Sequence, residues 1–133
     1  MQAPSGARSE PKRPAGVTRS GLLAALCEIV GSEAVLARPE DLLVYEADGL
    51  TLHGAKPSAV VLPSDKTEVA RVVRACRAHG VPFVPRGAGT GLSGGAVALD
   101  SGVVIECSRL NRILRVDAEN RIALVQPGVV NAD

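Results

Sequence analysis

The chain has 133 residues, 46% hydrophobic but only 2% aromatic, with a formal net charge of +1. That length can bury one core without metal or disulfide staples, and the near-zero charge excludes a basic field for nucleic acid or an anionic membrane. With so few aromatic rings there is no base-stacking platform either.

Residues 1–19 mix Pro4, Pro11 and Pro14 with Gly6, Gly16, Ser5, Ser9, Arg8, Lys12 and Arg13, and show no apolar periodicity. A disordered tail is expected there. A transit peptide would share the Arg and Ser content, but the three prolines oppose its amphipathic helix, and no apolar stretch resembles a secretory signal. No apolar run approaches the ~18 residues of a membrane span.

Residues 20–57 read as an N-terminal helical segment. Ser20 is a candidate N-cap for Leu22, Leu26, Ile29 and Val30, which recur at helical spacing up to Gly31. Pro39 suits the first turn of a second helix, Glu40 to Tyr45, which the Asp48-Gly49 turn ends. Residues 58–133 then read as the main unit. Ala59-Val60-Val61-Leu62 is a buried strand, and Asp65-x-x-Glu68 is a capping box for a helix with Val69, Val72, Val73 and Cys76 inward. Arg71, Arg74 and Arg77 fall on the opposite, solvated face. Gly80 ends that helix and Val81 to Val84 returns as a strand, a βαβ unit with its helices to one side of the sheet.

The most informative stretch follows: Pro85-Arg86-Gly87-Ala88-Gly89-Thr90-Gly91-Leu92-Ser93-Gly94-Gly95. So many residues lacking Cβ let backbone N–H groups turn onto one concave surface, which favours an anion. Placed after a strand, such a loop is a candidate diphosphate cradle. Gly89-x-Gly91-x-x-Gly94 has the dinucleotide spacing, but that fingerprint must open a crossover helix, and only Ala96 to Asp100 precede the next strand. The Gly-Lys-Ser/Thr ending of a nucleotide triphosphate loop is absent. A glycine-rich turn without a ligand is the remaining alternative, disfavoured because each glycine adds an entropic cost to folding.

Gly102 to Cys107 is the next strand, Ser108 to Arg112 a turn, and Ile113 to Val116 with Arg121 to Gln126 a hairpin closing on Pro127-Gly128-Val129. The fold class is therefore α+β: a small βαβ-seeded sheet with flanking helices and a C-terminal hairpin. Cys27, Cys76 and Cys107 form no Cys-x-x-Cys pair, so neither a zinc site nor a disulfide framework is indicated, and free thiols suit a reducing, cytoplasmic compartment.

These segments in order resemble the FAD-binding domain of the FAD-linked oxidases typified by vanillyl-alcohol oxidase. The resemblance rests on Ala59 to Pro63, Pro82 to Gly95, Ser108 to Ile113 and Val125 to Val129, with Tyr45 to Leu50 fitting the branch of glycolate oxidases and D-lactate dehydrogenases. It implies that FAD lies against Arg86, Gly87, Ala88, Gly89, Thr90, Gly91, Gly94 and Gly95, and against Pro127, Gly128 and Val129. For Arg86 a structural role at the strand end stands equally beside a cofactor contact. It also implies a small 2-hydroxy acid as substrate, with companion flavoprotein and iron–sulfur subunits. Members that attach flavin covalently through this loop carry a His near the position of Thr90, so the resemblance implies FAD that is not covalently held there.

Catalytic residues are not assigned. His79 falls at a helix C-terminus, a sufficient structural role, and His53 has no assigned role. The family's domain continues past this point, so the chain is expected to be its first half, with Asn131 as the N-cap of the next helix. Two rival functions stay open: a non-catalytic interaction module, and a binder of another diphosphate nucleotide.

Overall fold

The computed structural model describes residues 19–49, 54–99 and 101–130. The tail, His53 and Asn131 lie outside the described residues. Helix α1 spans Arg19–Val30, starting one residue before the expected cap, so Ser20 lies inside it. It buries Leu22 and Leu26, and Gly31 stops it at φ 86°, a conformation that a Cβ disfavours. Strand β1, Val35–Leu36, pairs antiparallel with β2, Ala59–Val61. Sequence periodicity does not detect β1, because two residues carry no period.

The second expected helix is shorter than its pattern. Helix α2 covers Pro39–Leu42 and tightens into a 3₁₀ turn, Leu43–Tyr45. Pro39 at its start loses no intrahelical bond, and Arg38 Nε donates to Asp41 Oδ2 at 2.8 Å across the first turn.

Helix α3, Lys66–Ala78, has the expected cap. Asp65 Oδ1 accepts from the N–H groups of Thr67 (2.6 Å) and Glu68 (2.9 Å). Glu68 reaches back one residue further than a standard box, accepting from Ser64 N–H at 2.6 Å. Val72 and Cys76 are buried, while Arg71, Arg74 and Arg77 are exposed. The cap at the other end is the backbone N–H of His79, donating to Ala75 O; the ring Nδ1 is buried without a hydrogen-bond partner.

Strand β3 is Phe83–Arg86, two residues later than expected, because Val81 N–H is still bonded to Cys76 O at the helix exit. Strand β4, Val103–Glu106, is parallel to both β2 and β3, and the sheet order is β1-β2-β4-β3. The two strands of the βαβ unit are therefore not neighbours: β4 lies between them. Pro85 is accommodated because β3 is an edge strand.

The helices do not all lie on one side. Ala59, Val61, Val103 and Ile105 pack with Leu22, Leu26, Val72 and Cys76, the α1 and α3 face. Val60 and Val104 point the other way, onto Leu42, Ala98, Leu36 and Tyr45. Coverage of both faces explains why these strands read as continuous apolar runs rather than alternating ones. It also puts residues of the 20–57 segment in the same core as the strands. Strands β5, Ile113–Asp117, and β6, Ile122–Val125, form a separate antiparallel hairpin with an irregularity between Ile113 and Arg115. None of the three cysteines is in a disulfide.

Candidate functional site

The glycine-rich loop leaves the carboxyl end of β3, beside the carboxyl end of β4, where parallel sheets collect their ligands. Arg86 belongs to β3 rather than to the loop, and the residue is 8% exposed. Its Nη1 donates to Ala47 O (2.8 Å) and Ala96 O (3.4 Å), and its Nη2 to Val44 O (3.4 Å). The guanidinium also lies 5.5 Å from the centre of the Tyr45 ring. These bonds join both ends of the loop to the segment after α2.

Gly89 turns directly above that guanidinium at φ 71°, and a Cβ there would overlap Arg86 Nη2. Gly94 also has a positive φ, 74°, but open space beside it, as have Gly91 and Gly95. Among the described residues, the backbone N–H groups of Gly87, Ala88, Gly89, Thr90, Gly91, Leu92 and Ser93 take no protein acceptor. The Gly94 N–H differs: it donates to Asp48 Oδ2 at 2.9 Å.

The second expected contact segment lies alongside. A Cβ on Gly87 would come within 3.8 Å of Pro127 O. Gly128 is forced by close packing, since a Cβ would meet Ser108 O at 2.8 Å and Leu110 O at 2.9 Å. Its N–H donates to Leu110 O, and that of Val129 to Gln126 O. The N–H groups of Gly128 and Val129 are thus engaged within the protein, unlike those of the loop from Gly87 to Ser93.

Sequence reading took Asp48-Gly49 as a turn within the Tyr45 to Leu50 resemblance and not as a contact of the loop, yet the pair is docked on it. Gly49 N–H donates to Gly91 O at 3.1 Å, and a Cβ on Gly49 would lie 2.8 Å from Thr90 O. Glu106, buried at the end of β4, was also missed; its Oε1 accepts from Ser108 N–H at 2.8 Å and shapes the neighbouring turn. Burial holds the Tyr45 phenol above its ordinary range, with Glu106 adding to the rise and Arg86 opposing it. A cavity of about 650 Å³ opens at the amino ends of the parallel strands, among Pro57, Ser58, Val81 and Ser101, and is bordered by Leu43 and Glu46 but by no residue of the loop.

Residues 57–133 match the family model described as FAD binding domain. The chain belongs to that family. It is 43% identical over 115 residues to glycolate oxidase subunit GlcD of Escherichia coli (strain K12), covering 86% of this chain and 23% of that protein. It is 40% identical over 90 residues to D-lactate dehydrogenase of Anaerostipes hadrus, covering 67% of this chain and 19% of that one. The structure of p-cresol methylhydroxylase superposes with a TM-score of 0.73 at 28% identity, covering 87% of this chain and 24% of that one. The chain thus spans about a quarter or less of each protein. The α+β fold is that of the vanillyl-alcohol oxidase type, and FAD is the cofactor of the domain. The site fits that cofactor: the N–H groups from Gly87 to Ser93 take no protein acceptor, and Gly91, Gly94 and Gly95 leave open space where a side chain would stand.

Proposed function

We propose that this chain is part of a flavoprotein oxidoreductase acting on a small 2-hydroxy acid, glycolate or D-lactate, and that its loop holds the FAD diphosphate. The carrying observation is the row of N–H groups from Gly87 to Ser93 without a protein acceptor, at the carboxyl end of parallel strands. The likeness to glycolate oxidase and D-lactate dehydrogenase supports the substrate class. When bound, FAD supplies the acceptor for the two electrons and two protons released as a 2-hydroxy acid becomes a 2-oxo acid. The chain's own part is to bind and orient. Gly87 to Gly91 would cradle the diphosphate oxygens, Gly95 would leave room for them, and Pro127 to Val129 would wall the site. The name of the E. coli relative as a subunit supports companion subunits for the whole protein.

The test titrates FAD into the purified chain and follows flavin fluorescence. Saturable quenching, with FAD released into the supernatant on acid precipitation, is the expected result. Quenching by FAD that ADP-ribose competes away at equal concentration would favour the general diphosphate binder, and no binding of either would favour the interaction module. The substrate is checked in the protein carrying this domain, by bleaching of the flavin absorbance on adding glycolate or D-lactate. Bleaching by neither removes the substrate assignment.

A further inference from the structure

The residues after α2 reach the glycine loop from behind at several points. Arg86 ties Val44 and Ala47 to Ala96, Gly49 N–H holds Gly91 O, and Asp48 Oδ2 holds Gly94 N–H. Asp48 is 7% exposed and Arg86 8%, so both residues are largely withdrawn from bulk water, which strengthens hydrogen bonds to ionised groups.

The Asp48 carboxylate presents a difficulty for a site that takes an anion. Negative charge beside a diphosphate opposes binding, so a group selected to touch the phosphates would not be an aspartate. The carboxylate does have a use if the loop must be shaped before the cofactor arrives. An uncovered glycine loop is costly to order, and any ordering done in advance is returned as affinity. Arg86 works on the same segment through backbone carbonyls, Ala47 O among them, and among the described residues it forms no ion pair.

We propose that Asp48 and Arg86 are positioning residues that brace the loop in its binding shape, so that Gly94 serves as an anchor point rather than a phosphate donor. This inference rests on the diphosphate reading of the loop for its effect on affinity, but not for its effect on the loop. What the brace needs from residue 48 is an acceptor, not a charge. Asp48→Asn keeps a carbonyl oxygen at that place, whereas Asp48→Ala removes it.

The experiment compares both variants with the unaltered chain by FAD titration and by amide hydrogen exchange of Gly94, measured by NMR without FAD. Asp48→Ala should weaken FAD binding about tenfold, the scale of a hydrogen bond to a charged group, and should expose the Gly94 amide to exchange. Asp48→Asn should retain amide protection and bind FAD at least as tightly as the unaltered chain, since repulsion is relieved. Equal loss of affinity in both variants would assign Asp48 a direct, charge-dependent role and overturn the brace. So would Gly94 protection unchanged in Asp48→Ala. If the unaltered chain binds no FAD, the cofactor reading fails by itself, and the exchange rates still decide whether the brace exists.

Discussion

Gly89 and Gly95 stand in the same loop, yet their side-chain positions meet different surroundings. At Gly89 the backbone has φ 71° and the Arg86 guanidinium lies beneath. A methyl group there takes on the left-handed penalty of about 1–2 kcal/mol and displaces a side chain whose carbonyl bonds hold the loop's two ends. Gly95 has no such neighbour and no positive φ. Gly89→Ala is therefore expected to lower the melting temperature and abolish FAD binding, while Gly95→Ala keeps the melting temperature of the unaltered chain. Thermal denaturation of the two variants checks this, and equal melting would refute the assignment of Gly89 to the collision. A fall in stability was not foreseeable from the sequence, where Gly89 stands only as one residue of a candidate diphosphate cradle. The sequence indicates where glycine is needed, but Arg86 lying under Gly89 depends on a rotamer that no spacing rule encodes.

Helix α3 was the most legible element because its cap and its apolar face agree on the same start and register. Strand β4 was legible as a strand but not as the centre of the sheet, because pairing order depends on contacts far apart in sequence. The 44–49 segment was legible as a helix end, a turn and part of the family resemblance but not as a brace of the loop, since docking some forty residues away leaves no local pattern. The interior face of α3 also predicts a pH response. Burial pushes the Cys76 thiol up from 9.0 to about 11. The raised value means the folded state favours the neutral thiol, so this contribution to stability is complete below about pH 9 and lost as pH rises toward 11. Alkylation followed by mass spectrometry should leave Cys76 unlabelled in the folded chain near pH 8 and label it after denaturation. Rapid labelling in the native state would contradict the helix packing.

At the scale of the molecule, the hairpin stands apart from the two-faced sheet. Pairing of Arg115 with Leu124 and Asp117 with Ile122 places two charges on one of its faces. Val116 pairs with Ala123, and with Leu114 and Val125 these make a face without charge. Leu114 is 54% exposed, Val116 66% and Val125 43%, so this face is wetted apolar surface rather than core. A two-stranded ribbon exposing such a face is marginal by itself and gains by covering it, at about 25 cal/mol for each Å² removed from water. At high concentration the ready cover is the same face of a second copy. The purified chain is therefore expected to self-associate with rising concentration, and Val116→Lys should restore the monomer without lowering the melting temperature, because the substituted side chain already faces solvent. Sedimentation velocity over a concentration series decides it. A chain that stays monomeric throughout, or a Val116→Lys variant that associates as before, would show that the apolar hairpin face is not the contact.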